Sequence, residues 1–278
     1  MAKLFGTRLH YGWIVVAITA LTLIISAGVR SAPGVMVVSL EQDMHWSRAL
    51  ISLAVSIGLL FYGLTAPLSG WVIDRIGPRM VVVLGLAVMA ASMFASASMT
   101  SLWQLNIFWG ALSGVGTGIV ALVLGAAVAN RWFVARRGLI TGIFGASTSA
   151  GQLIFYPLLV WMIGTYGWRT STLVMGIAAV ALILPVLLFM RNSPADVGLQ
   201  PYGATALHPG AQAASAPAAE GGVMRQALAT PAFWLLATTF FICGATSNGL
   251  IGTHFIPHVG DHGISPNIAA GLLALMGT

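Results

Sequence analysis

Long apolar runs alternate with short polar breaks along most of this chain. The runs lie near 12–38, 49–73, 80–99, 104–129, 139–163, 170–190 and 232–256, and another begins at 267. Each complete run is long enough to cross a ~30 Å hydrocarbon core as a helix. The pattern predicts an all-α, polytopic membrane protein with seven spans and the start of an eighth. One break differs in kind. Residues 191–203 are polar and Pro-rich, and 204–222 are an Ala/Pro/Gly/Ser tract of low complexity. Such composition makes a flexible linker. Thr230-Pro231 then supplies an N-cap followed by proline at the first helical position. The expected organisation is a six-helix N-terminal bundle over 1–191, a flexible cytoplasmic linker over 192–230, and the opening one to two helices of a second bundle, cut short, over 231–278.

Composition agrees. The chain is 58% hydrophobic and 6% charged, with a mean hydropathy of +0.93. A soluble domain carries about 25% charged residues, so too few charges exist here to build a water-facing surface. The net charge of +6 is spread in ones to threes without a basic stripe, which argues against a nucleic-acid partner. Its distribution reports topology instead. With the N-terminus inside, the inner segments hold Lys3, Arg8, Arg75, Arg79, Arg131, Arg136, Arg137, Arg191 and Arg225, and the outer ones hold Arg48 and Arg169. This predicts a multi-pass protein of the cell (inner or plasma) membrane with a cytoplasmic N-terminus. The first apolar run is too long for a signal-peptide core and is read as a retained helix. Cys243 is the one cysteine and lies in an apolar run, so no disulfide framework exists and a packed core position is expected.

The first run contains one charge. Arg30 stands between Tyr11 and Val38 in a segment that is otherwise uncharged. A central arginine costs roughly 2.5–3.5 kcal/mol on insertion scales, and ionisable residues at such depth are functional by default. Ser26, Ala27, Arg30, Ser31 and Gly34 fall near one helical face, small and polar enough for a bundle interior. A guanidinium stays charged at any working pH and presents a planar fork matched to a carboxylate. An internal repeat supplies its counterpart. Arg30 precedes Asp43 by 13 residues and Asn248 precedes Asp261 by 13, each aspartate followed four residues later by serine, at a constant offset of 218. A parallel repeat of two membrane halves has this form, and it puts Asn248 where Arg30 lies in the first half. Gln152, near the middle of the fifth run, with Tyr62 and Tyr156, adds hydrogen-bonding groups. Ser147, Thr148 and Ser149 are weaker candidates of the same kind. His254, toward the outer end of the seventh run, is the candidate for proton coupling.

Small residues at i, i+4 and i+8 (Gly110, Gly114, Gly118), and the pair Gly142 and Ala146, predict close helix contacts. Pro67, Pro157 and Pro185 are expected to kink their helices. Gly70-Trp71-Val72-Ile73-Asp74-Arg75-Ile76-Gly77-Pro78-Arg79 joins the second and third runs. It resembles the G-x-x-x-D-R-x-G-x-R loop of the major facilitator superfamily. Gly70 suits a close helix approach and Gly77 a tight turn, while Asp74 offers a carboxylate to cations or helix amides. Arg131-Trp132-Phe133, Arg136-Arg137 and Leu139, with Tyr11-Gly12-Trp13 and Arg30-Ser31, resemble the monocarboxylate transporters and oxalate/formate exchangers. Ala135, Ile140, Phe144 and Ser147 depart from the eukaryotic pattern. The resemblance runs from Tyr11 to about Leu275.

That resemblance implies the major facilitator fold, two six-helix bundles around one substrate path. It implies a secondary active transporter of small organic anions, mono- or dicarboxylates, working by alternating access with proton coupling or anion exchange. Arg30, Gln152, Asn248, Tyr62 and Tyr156 are the expected substrate contacts. Gly70, Asp74, Arg75, Gly77, Arg79 and Arg131 form the expected cytoplasmic gate, with Asp74 against Arg131. The alternatives are a truncated, non-transporting sensor or inactive half-transporter, and a transporter of a non-carboxylate solute. No P-loop, no H-E-x-x-H and no Ser/His pair at matched depth occurs, so catalytic residues, a metal and a cofactor are not expected. The partners are the anion and the lipid bilayer, with oligomeric state left open.

Overall fold

The computed structural model describes residues 10–120, 122–204 and 223–276. Lys3, Arg8 and the centre of the expected linker lie outside the described residues. Helices α1 (Gly12–Met44), α2 (Arg48–Ile76), α3 (Pro78–Ala97) and α4 (Leu102–Trp132) follow in order. The next helical stretch, Arg137–Phe189, is 53 residues long. At 1.5 Å per residue it would measure ~80 Å, far more than a bilayer. It breaks at Gly167, whose φ of 82° and ψ of 164° are closed to most side chains. The stretch is therefore two antiparallel spans, α5 (137–166) and α6 (168–189). Helices α7 (Pro231–Asp261) and α8 (Pro266–Met276) complete the described chain. The seven expected spans and the start of the eighth are present among the described residues, most of them a few residues longer than the apolar run that marks each.

Successive helices run in opposite directions, so the bundle has two ends. One end carries Arg75, Arg79, Arg131, Arg136, Arg137 and Arg191, and is called the basic face here. The opposite face carries Arg48 and Arg169. Helix α1 is the core element, with Val15, Ala32, Met36 and Val37 fully buried. In lipid no hydrophobic effect drives helices together, so backbone proximity has to come from small residues. Gly110, Gly114 and Gly118 on α4 meet Ala54, Gly58 and Tyr62 on α2, two series with the same four-residue spacing. A Cβ at Gly110 would lie 2.9 Å from the Ala54 carbonyl oxygen, one at Gly118 would lie 2.8 Å from that of Tyr62, and one at Gly114 would collide with that of Gly58. Gly142 has no such neighbour within 4 Å among the described residues. Pro67 and Pro157 sit inside continuous helices, as does Pro185, and the one break in α5–α6 is at the glycine. Two stretches, Leu105–Leu112 in α4 and Gly244–Ile251 in α7, take the wider π-helical turn.

Intramembrane hydroxyls mostly bond to their own helices. Thr19 donates to the Val15 carbonyl, Thr22 to Ile18 and Ser31 to Ala27. This satisfies each hydroxyl where no water is at hand.

The segment after α6 folds back under the basic face before the low-complexity tract. The Tyr202 amide donates to the Trp132 carbonyl at 2.8 Å, and the Tyr202 carbonyl accepts from Val134 at 2.9 Å. Its ring packs on Phe133 and Trp13. The beginning of the expected flexible linker is thus a docked strap, held by aromatic contacts and backbone hydrogen bonds that its Pro-rich composition does not announce. Cys243 also differs from expectation: it is exposed on α7 rather than packed in the core.

Gly114→Val should lower the melting temperature of the purified protein in detergent. The expected cost is about 1–3 kcal/mol, because the α2 backbone must move away from α4. Gly142→Val, at a site with open space, should leave the melting temperature nearly unchanged.

Candidate functional site

Arg30 projects from the middle of α1 into space shared by several helices. Toward the basic face it lines a cavity of about 230 Å³ with Ser26, Ala27, Tyr62, Thr117, Thr148 and Ser149. Toward the opposite face it lines a smaller cavity of about 30 Å³ with Gln152, Tyr156, Asn248, Gly252 and Thr253. A third space, about 40 Å³, opens between α1, α2 and α4 against Tyr62 and Trp109. The guanidinium Nη1 donates to the Tyr62 hydroxyl at 3.3 Å, and its carbon stands 5.4 Å from the centre of that ring. Among the described residues no carboxylate pairs with it. Most of its donors are free to take a ligand.

The five expected contact residues are therefore neighbours. Tyr62 touches Arg30. Gln152 and Tyr156 from α5 and Asn248 from α7 face the same small cavity as Arg30. Asn248 lies on the π-helical stretch of α7, and Tyr156 is buried. His254 is half-buried further along α7 and lines none of the three cavities. Sequence reasoning gave little weight to the hydroxyl lining of the larger cavity. Thr148 donates to the Phe144 carbonyl and Thr117 to Ser113, so their protons are used. Ser26 and Ser149 donate to no described residue and remain available. The signal was present for Ser26, one turn before Arg30 on the same face.

The loop motif is built at the basic face. Asp74 is exposed, and its Oδ1 accepts from Arg131 Nη2 at 3.2 Å. The same Nη2 donates to the Ile73 carbonyl at 3.1 Å. This ties the foot of α4 to the foot of α2. Gly70 faces Val123 of α4, and a Cβ there would lie at 3.4 Å, ordinary contact. Gly77 turns the chain with φ 83°, and a Cβ would collide with Asn192. The Arg79 amide donates to Asn192 Oδ1 at 3.0 Å, and its guanidinium reaches the Leu187 carbonyl at the end of α6. Arg75 stacks on Trp71 at 3.7 Å from the ring centre. The motif residues fasten α2, α3, α4 and α6 to one another at one end.

A family model described as Major Facilitator Superfamily matches residues 19–278. The chain belongs to the major facilitator superfamily. Among curated relatives, monocarboxylate transporter 13 of Bos taurus is 28% identical over 271 residues, covering 95% of this chain and 58% of that protein. The oxalate:formate antiporter of Oxalobacter formigenes is 25% identical over 278 residues, covering 98% of this chain and 59% of that protein. The crystal structure of a bacterial homologue of the human lysosomal transporter Spinster superposes with a TM-score of 0.72 at 18% identity, covering 98% of this chain and 60% of that one. The chain thus spans roughly three fifths of the length of these matches. A multi-pass membrane protein of a transporter family, not an enzyme family, is what the match establishes.

In this superfamily member α2 and α7 also meet at the opposite face. Arg48, at the start of α2, donates through Nε to Glu41 at 2.7 Å. Its two terminal nitrogens hold Asp261, at the end of α7, at 2.5 and 2.9 Å. Asp43, the repeat counterpart of Asp261, instead accepts from the Trp168 indole at 2.8 Å. It pins the α5–α6 turn to the α1–α2 turn. The sequence did not show these partners, which come from chain positions 213 and 125 residues away.

Asp74→Asn should change thermal stability by no more than about 1 kcal/mol, because the Asp74–Arg131 pair is solvent-facing. Arg131→Gln should cost more than Asp74→Asn, since it also removes a donor from the Ile73 carbonyl. Melting curves of the two variants decide the order.

Proposed function

We propose that this major facilitator protein is a secondary active carrier of small organic anions, mono- or dicarboxylates, across the cell membrane. The observation that carries the reading is Arg30. It lines cavities on both sides of its own depth and is unpaired by any carboxylate among the described residues. Around it stand Tyr62, Gln152, Tyr156 and Asn248, which offer neutral hydrogen bonds. A fixed cation ringed by neutral donors suits one anionic group better than a neutral solute, for which an unpaired charge would only be a cost. The names of the relatives, monocarboxylate transporter and oxalate:formate antiporter, lie in the same chemical class.

Alternating access follows from the repeat: two halves rock about a site at mid-depth. The basic face is the cytoplasmic one in this reading, with the N-terminus inside. Asp74 and Arg131, with Gly70, Arg75, Gly77 and Arg79, brace that face as the halves move. A proton gradient or a second anion supplies the driving force. His254 remains the candidate for proton coupling, on the α7 segment between Asn248 and the opposite face.

Uptake of a radiolabelled carboxylate panel into proteoliposomes containing the full-length protein tests the reading. Arg30→Gln should weaken anion affinity by at least roughly 30-fold, the expected penalty for removing one partner of a desolvated charge pair. Arg30→Lys keeps the charge without the planar fork and should fall between parent and Gln variant. Parent-like affinity in the Gln variant would remove Arg30 as the anion receptor.

A further inference from the structure

The outer end of α7 carries two histidines one turn apart. His258 and His262 share a helical face, as residues at i and i+4 do, and both are exposed. Their ring centres are 4.7 Å apart, with the ring planes inclined at 57°. Two imidazoles bound at ~2.1 Å to one tetrahedral ion have ring centres about 5 Å apart. The pair thus stands close to chelating separation on a helix that is already formed.

One member of the pair has its tautomer set. His262 Nδ1 lies 2.9 Å from the His258 carbonyl oxygen. A carbonyl can only accept, so Nδ1 carries the proton and Nε2 of the neutral ring keeps its lone pair. Metal-bound histidines are held in this way, one nitrogen tied to a backbone carbonyl and the other on the ion. Neither ring nitrogen of His258 has a hydrogen-bond partner among the described residues, so it too offers a lone pair. The backbone here is fixed. The His262 amide donates to the Val259 carbonyl at 3.2 Å and the Gly263 amide to Gly260 at 3.0 Å. Gly263, with φ 79°, then turns the chain toward α8.

Asp261 lies between the two histidines in sequence, and its charge reaches both rings. Both of its oxygens are held by Arg48, however. No group of three or more histidine, cysteine or acidic side chains able to hold a metal occurs among the described residues. Any ion on this pair therefore has two protein nitrogens and takes water at its other positions. Imidazole suits zinc and copper, whereas magnesium and calcium seek oxygen.

We infer that His258 and His262 form an open surface site for a divalent transition-metal ion, Zn²⁺ or Cu²⁺, at the turn from α7 to α8. The ion staples the last turn of α7 to the residue that ends it. Neither histidine lines any of the three cavities around Arg30, so the site is separate from the anion reading and needs no transported solute.

The experiment is calorimetric titration of Zn²⁺ alone into metal-free, full-length protein in detergent, carrying no polyhistidine tag. A Zn²⁺ site should appear, and the melting temperature should rise with Zn²⁺ concentration, as for any ligand taken by the folded state. His258→Gln and His262→Gln should each weaken that site at least roughly tenfold, because one of its two protein ligands is gone. His45→Gln and His254→Gln should leave it at the parent affinity. Cu²⁺ on the parent should show electron-paramagnetic-resonance coupling to two imidazole nitrogens, reduced to one in either site variant. Parent protein that takes up no Zn²⁺, or folded site variants that bind it as the parent does, would overturn the assignment.

Discussion

A permanent positive charge at mid-membrane must be solvated by something other than lipid. That constraint organises the middle of this protein. Arg30 lies near the middle of α1, a long apolar helix. The solution is to surround it with space and neutral dipoles: the Tyr62 hydroxyl, the Gln152 and Asn248 amides, and the free hydroxyls of Ser26 and Ser149. Three cavities converge on one side chain because a guanidinium wrapped in close-packed aliphatic groups would be prohibitively costly.

Holding those groups in place falls to residues with almost no side chain. The α2–α4 contact is a ladder of glycines against backbone, matched turn for turn. It fixes Tyr62, whose carbonyl touches Gly118 while its hydroxyl reaches Arg30. A rigid seam thus runs from a packing motif to the candidate site in one residue. Across the two halves the logic is different. The contact between Gly34 and Gly252 is also glycine to backbone. Beside it α8 packs on the α5–α6 stretch and buries Ala269, Ala270, Leu273 and Ala274, with the Arg48–Asp261 ion pair at the rim.

The two ends of the bundle use charge in different ways. At the basic face Arg131, Asp74, Arg79 and Asn192 tie together helices of one half, and many of their bonds go to backbone carbonyls. At the opposite face Arg48 spans the halves. Asp43 and Asp261, 218 positions apart, take different partners. Asp43 took an indole donor within its own half, whereas Asp261 took a guanidinium from the other. The same carboxylate position became a brace in one case and a clasp in the other.

The all-helical membrane fold, the order of the spans and the presence of one charge in the first of them were legible from the chain. Each rests on properties that sequence carries directly: the length of an apolar run, the sign of charges between runs, the cost of an isolated charge. The family resemblance added the basic-face loop, and the Asp74–Arg131 contact formed as expected. Tertiary structure alone decided which distant groups meet. Nothing local marks Arg48 as the partner of Asp261, or Tyr202 as the strap under Trp132. Nothing distinguishes Gly114, pressed on a backbone, from Gly142, which has no such neighbour among the described residues. A helix's sequence states which residues share a face, but not which face another helix will cover. That choice belongs to the packing of the whole bundle, where small residues permit contact at many places and geometry selects a few.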